Sequence, residues 1–220
     1  MTPFQFNLTQ GLIYGELRLR GYKINEGASS PQELQYLYET AKWPNIKRIA
    51  EIGFHLGFSS YAFLKARKDI TVVSFDIGTH SFVSGAKKII DRKFPGRHRL
   101  IYGDSIKTVP EFITQNPDRK FDLIFIDGGH EYETVKADIN NMKSLARLNT
   151  IIIIDDLTPW LPWGKEPTQA WEEAIKKREI VQDELYIDGN AVKAIEPPGK
   201  RGWASGQYIL ISYGTSKIKY

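Results

Sequence analysis

Five short apolar runs recur through the middle of the chain: KRIAEIG (47–53), ITVVSFD (70–76), HRLIYGD (98–104), FDLIFID (121–127) and TIIIID (150–155). They read as strands, and each stops on a glycine or an aspartate. Between them apolar residues fall at three- and four-residue spacing with polar residues interleaved, which predicts helices near 58–67, 82–93, 106–116 and 131–147. Strands alternating with helical periods are the pattern of an α/β protein with a doubly wound, mostly parallel sheet and helices on both faces. A further helix near 167–180 and two late strands, near 184–188 and at GQYILISY (206–213), bring the sheet to seven strands. The Gly/Pro-rich stretch EPPGKRGWASG (196–206) divides those two strands. Ahead of the sheet, a segment of different character runs to about residue 43. It is aromatic-rich at first, then forms a helix that Ser30 caps and Pro31 opens, with Leu34, Leu37 and Tyr38 on one face.

The 220 residues suit one α/β domain spanning 1–220. Lys and Arg number 30 against 26 Asp and Glu, and a formal charge of +4 is too mild to imply nucleic acid, whose binders concentrate charge in clusters. Lys87-Lys88 and Lys176-Lys177-Arg178 read as solvated helix faces. There is no cysteine, so disulfides, zinc-thiolate sites and thiol catalysis are excluded, and chemistry must come from oxygen and nitrogen. No apolar stretch approaches the roughly 18 residues of a membrane span. The start MTPFQFNLTQ lacks the basic-then-apolar order of a secretory signal. The expectation is a cytoplasmic protein with no membrane partner.

Asp127, Asp155 and Asp156 sit where the last two core runs end. In an open α/β sheet, ligands bind beyond the carboxyl ends of the strands, so acids placed there face a ligand. The spacing of Asp127 and Asp155 carries one crossover helix and puts both strand ends side by side. Three carboxylates crowded together repel one another unless a cation is present, and three hard oxygen donors suit a divalent ion such as Mg2+.

A second signal lies at RIAEIGFHLGFSS (48–60), which puts Glu51 and Gly53 at a strand end and Gly57 and Ser59 where a helix begins. A dinucleotide fingerprint would read G-x-G-x-x-G; this loop reads acid-x-G-x-x-x-G. Taken alone, the loop can be a tight turn and Asp76 a helix cap. Together with the strand order, over about residues 27–157, the pattern resembles the first motif of the class I S-adenosylmethionine-dependent methyltransferases. That resemblance implies a Rossmann-like methyltransferase fold with a cofactor-binding core over 44–157. It implies cofactor binding by Glu51, Gly53, Gly57 and Ser59, a ribose contact at Asp76 and an adenine contact at Asp104 and Ser105. A carboxylate suits paired ribose hydroxyls because, ionised, it only accepts.

The acid set is similar to that of a narrower group, the Mg2+-dependent small-molecule O-methyltransferases of the catechol and macrolide-sugar types. In these the metal ligands end the fourth strand and follow the fifth, matching Asp127, Asp155 and Asp156, and a general base lies three residues past the first ligand, matching His130. The resemblance therefore implies catalysis by His130 and Asp127 on a small hydroxylated acceptor, with a sugar or glycoside favoured over a catechol or other phenol. A hydroxyl is a poor nucleophile until its proton leaves. A neutral histidine takes that proton while the oxygen attacks the methyl in line with the departing sulfur.

The loop LTPWLPWGKEPTQAW (157–171) carries three tryptophans where family members shape the acceptor pocket; the rings either stack on the acceptor or pack the loop against the body or a second subunit. The N-terminal segment either lids the site or makes a homo-oligomer contact. His55 and His80 are assigned structural or solvent roles, although His80 could border the adenosine. Two other classes of function stay open: a nucleic-acid methyltransferase, and a non-catalytic binding protein on a methyltransferase fold.

Overall fold

The computed structural model describes residues 1–24 and 29–210. Its five central strands are β1 (Arg48–Ile52), β2 (Thr71–Asp76), β3 (His98–Tyr102), β4 (Leu123–Ile126) and β5 (Ile151–Ile154). They pair in parallel in the order β3-β2-β1-β4-β5. The chain walks outward from β1 to β3 and then returns to lay β4 on the other side of β1. The switch point, and therefore the ligand crevice, lies between β1 and β4.

Alternation along the strands builds two cores. Ile49, Val72, Leu123, Phe125, Ile151 and Ile153 pack on one face, under helices α1 (Pro3–Leu19), α2 (Pro31–Ala41), α3 (Phe58–Ala66) and α4 (Phe82–Lys93). Their neighbours Ala50, Val73, Ile124, Ile126, Ile152 and Ile154 point the other way, onto α5 (Ser105–Gln115), α6 (Tyr132–Lys143) and α7 (Lys165–Lys176). With both faces buried, the strands read as nearly continuous apolar runs. Asp122 pins the sheet at the end remote from the crevice: its Oδ2 accepts from the backbone N–H groups of Lys47 and Arg48, each at 2.8 Å, and its other oxygen pairs with Arg147.

Five expectations need correction. The sheet has eight strands, because β6 (Ile180–Ile187) turns through Asp188-Gly189 into the two-residue β7 (Asn190–Ala191). Both turn residues have positive φ, 48° and 85°, as a two-residue type I′ hairpin requires. β6 also starts earlier than the expected 184–188, and α7 ends at Lys176 instead of residue 180.

The last strand, β8, is Gly202–Tyr208 instead of 206–213, and residues 211–213 of that expectation lie outside the described residues. β8 runs antiparallel between β5 and β6. Its glycines made it read as loop. A Cβ on Gly202 would lie 2.4 Å from the Leu157 carbonyl oxygen, and one on Gly206 2.4 Å from that of Val181. They are glycine because backbone approaches closely, which is the second meaning of glycine in a strand.

The N-terminal segment contains two helices where the pattern showed one. α1 begins with a capping box in which Thr2 Oγ1 accepts from Gln5 N–H and Gln5 Oε1 accepts from Thr2 N–H, with Pro3 opening the helix. Apolar residues on two opposite faces of α1 hide its period.

Candidate active site

A cavity of about 760 Å³ opens over the β1/β4 switch point. Gly53, Ser59, Asp76, Asp104 and Ser105 line it, as do Asp127, His130, Asp155 and Asp156. Two expected cofactor residues lie off its wall. Gly57 supplies the left-handed turn that starts α3 (φ 73°), where a Cβ would press on the Phe54 ring at 2.8 Å. Glu51 is fully buried beneath the loop, its Oε2 accepting from the Ser60 and Ser74 hydroxyls at 2.5 Å each.

That burial raises the Glu51 pKa, with the serine hydrogen bonds opposing the shift. Because Ser74 gives its proton to Glu51, the 2.9 Å contact between Ser74 Oγ and His98 Nε2 has the histidine as donor, and Nδ1 is left bare and without a partner. Burial, reinforced by Lys87, lowers His98 to about 3, so it is neutral in the folded chain. The unfolded chain takes a proton near pH 6.5, and stability therefore falls as pH drops from 6.5 towards 3, by up to about 1.4 kcal/mol per pH unit. In urea denaturation, the stability gap between the wild type and His98→Gln should narrow by about 2 kcal/mol between pH 6.5 and 5. Parallel pH curves for the two proteins would refute this assignment.

Asp76 ties the glycine loop to β2. Its Oδ2 accepts from Phe54 N–H (2.9 Å) and His55 N–H (2.8 Å), and its Oδ1 accepts from Gly78 N–H (2.7 Å). Asp104 caps α5 by accepting from Ile106 N–H at 3.0 Å. His55 and His80 both reach the cavity wall, packed edge-on and stacked, respectively, on Phe82.

The acids divide into two groups. Carboxylate oxygens of Asp127 and Asp155 lie within 4.8 Å of each other and of Glu33, a residue the motif reading did not single out. Glu33 arrives from α2, whose first turn it also caps. It donates its N–H to Ser30 Oγ at 3.1 Å, and its Oε2 accepts from Ser30 N–H at 3.3 Å. Its other oxygen, Oε1, is buried without a partner, as is Oδ1 of Asp155. Burial first, and then the charges of Asp155 and Asp156, hold Glu33 and Asp127 well above the carboxylate range; Asp155 is pushed up to about 7 by burial and by Asp156.

Asp156 faces the other way. Its backbone takes a left-handed turn (φ 64°), and its Oδ2 meets His130 Nε2 at 2.8 Å while Oδ1 lies 3.9 Å from the Arg201 guanidinium. The hydrogen bond from Asp156 raises the His130 pKa against the opposing effect of burial. Arg201 was also missed. It precedes β8, and the Leu157 N–H bond to the Gly202 carbonyl (2.7 Å) draws that strand start up to the site.

The turn bearing His130 is braced from α7. Tyr132 donates its N–H to Glu166 Oε2 at 2.6 Å and its hydroxyl to Glu173. The tryptophans separate by role: Trp171 is buried and donates to Gln182 at 2.8 Å, Trp160 donates to the Gly199 carbonyl at 2.8 Å, and Trp163 lines the cavity.

Comparison with known proteins agrees with this layout. Residues 50–157 match the family described as "Methyltransferase domain". An uncharacterized protein, y4gI, of Sinorhizobium fredii (strain NBRC 101917 / NGR234) is 27% identical over 146 residues, covering 58% of this chain and 15% of its own length. The chain thus matches only a small part of that relative.

Solved structures share the fold. Cofactor-bound Rv0187 from MTB aligns with a TM-score of 0.71 at 17% identity, covering 90% of this chain and 88% of that one. The O-methyltransferase from Bacillus cereus in complex with SAH aligns at 0.68 and 15%, covering 89% of each chain. CalS11, a TDP-rhamnose 3'-O-methyltransferase of calicheamicin biosynthesis, aligns at 0.59 and 17%, covering 78% of each. Residues 50–157 thus carry a methyltransferase domain, and the strand order around the cavity is that of the class I S-adenosylmethionine-dependent methyltransferase fold.

Proposed function

We propose that the chain transfers a methyl group from S-adenosylmethionine to a hydroxyl of a small acceptor, with Mg2+ as required metal and a sugar or glycoside favoured over a phenol. The observation that carries this reading is that one cavity joins the cofactor loop to an acid cluster and an oriented histidine. The residues fit a cation. Glu33 Oε1 and Asp155 Oδ1 are buried acceptors without partners, and acidic groups converge where, among the described residues, Arg201 and His130 are the basic groups closest to them at the cavity wall. Glu33, Asp127 and Asp155, whose oxygens converge, would hold the ion, while Asp156, the third ligand expected from the motif, is turned to His130. Such an ion supplies the positive charge that makes an acceptor hydroxyl more acidic.

The chain's own residues do the rest. Gly53, Ser59, Asp76, Asp104 and Ser105 would bind the methyl donor, Asp76 accepting from its ribose hydroxyls. His130 takes the acceptor's proton as that oxygen bonds to the methyl carbon and the sulfur leaves. Asp156 orients the imidazole and stabilises the imidazolium that forms. Trp163 offers a ring face to the acceptor, as suits a sugar. The likeness to CalS11 supports the sugar reading. A cavity lined by many acids, and by Arg201 as its one Lys or Arg among the described residues, disfavours a polyanionic acceptor such as nucleic acid.

The test is calorimetric. S-adenosylhomocysteine titrated into metal-free protein should bind, and Mg2+ titrated into that complex should bind in turn. Asp155→Ala should weaken Mg2+ at least about 100-fold, beyond what outer-shell changes cost, while the affinity for S-adenosylhomocysteine holds. Turnover persisting in EDTA would remove the metal from the reaction, and absence of S-adenosylhomocysteine binding would overturn the whole reading.

A further inference from the structure

Helix α1 is apolar on two opposite faces. Phe6, Ile13 and Leu17 point into the core, whereas Phe4, Leu8, Leu12 and Leu19 are 70%, 55%, 72% and 91% exposed. At 100° per residue, the four exposed side chains fall on one stripe, and Gly11 and Gly15 fall on it with them. Both glycines are exposed, and a Cβ on either would meet nothing within 4 Å. Glycine is among the poorest helix formers, and among the described residues nothing requires it at these two positions.

We propose that this stripe is an interface between two copies of the chain, packed antiparallel about a two-fold axis near residues 11 and 12. In that register Phe4 lies opposite Leu19 of the second copy, Leu8 opposite its Gly15, and Leu12 opposite its Gly11. Each leucine then fills the gap that a glycine leaves, and the arrangement is self-complementary, as an isologous contact must be. The flanks set Glu16 of one copy beside Gln5 and Thr9 of the other, and Arg18 beside Asn7, so no like charges oppose.

The stripe runs about 22 Å at 1.5 Å per residue. A buried side chain of this size removes about 60–120 Å² of apolar surface, so two copies with a polar rim bury about 600–1,200 Å² in total. Only the upper end of that range reaches the lower edge of specific interfaces, about 1,200 Å², so the contact is a weak one with monomer–dimer exchange expected at about micromolar concentrations or above.

Sedimentation velocity of the full chain across the micromolar range should show that exchange, and Leu12→Glu should raise the dimer dissociation constant at least about 30-fold with an unchanged circular-dichroism spectrum. Gly15→Leu gives the sharper contrast. It enlarges the apolar stripe, so general stickiness or attraction to a lipid surface would strengthen association, whereas a filled gap weakens it. Because the chain has no cysteine, single substitutions also report the register: Leu12→Cys should give a disulfide-linked dimer under mild oxidation and Leu19→Cys should not. A monomer at every concentration, a dimer indifferent to Leu12→Glu, or tighter association of Gly15→Leu would each overturn the proposal.

Discussion

His130→Ala is expected to lower kcat by about 10²- to 10⁴-fold, the usual contribution of a positioned general base, and to leave the affinity for S-adenosylhomocysteine within about twofold. The separation follows from geometry. His130 stands on the turn between β4 and α6, held by Asp156 at 2.8 Å, and it touches none of the groups that tie the glycine loop or cap α5. Half of its side chain is exposed, so truncation opens no buried cavity and the thermal midpoint should stay near that of the wild type. The comparison with Asp156→Asn sharpens the assignment: a neutral amide still orients the ring but no longer stabilises its cation, so kcat should fall by less than in His130→Ala. An unchanged rate in His130→Ala would exclude it as the base, and loss of S-adenosylhomocysteine binding would show instead that it shapes the donor site.

Gly53→Ala is expected to destabilise the fold by more than about 3 kcal/mol, against about 1–2 kcal/mol for Gly96→Ala. Both glycines have positive φ, 89° and 73°, so alanine is strained at either. At Gly96 a Cβ finds open space, whereas at Gly53 it would sit 1.7 Å from the Asp127 carbonyl oxygen. Two bonds fix that approach: Gly53 N–H donates to the Phe75 carbonyl at 2.8 Å, and Asp127 N–H donates to that of Ile52 at 2.9 Å. Relief therefore requires β1 and β4 to part at the switch point. Urea denaturation of the two variants checks the difference, and equal losses would mean that the β1/β4 contact yields without cost.

Much of this was legible along the chain. The central strands and their crossover helices announced themselves because period-two burial and three-to-four spacing are local consequences of where a side chain points. Ser30 and Pro31 marked the start of α2 for the same reason. The misses were of two kinds. Asp188-Gly189, the Thr2/Gln5 box and the close-packing glycines of β8 were local signals, outweighed by composition or hidden by a helix apolar on both sides. Glu33 and Arg201 were different. Glu33 looks like half of a capping box, which it is, and Arg201 sits in a stretch that reads as loop.

By itself the sequence determined the strand-and-helix alternation, the glycine loop and the acids at the strand ends, because each depends on residues within a turn or two of one another. The tertiary structure alone decided that α2 delivers a fourth carboxylate beside Asp127 and Asp155. It alone decided that Asp156 turns towards His130, that Glu51 supports the loop from below, and that one face of α1 is left open. Those outcomes depend on how separate elements meet in space, and a carboxylate's neighbours, unlike its helix or strand, are set by packing across the whole sheet.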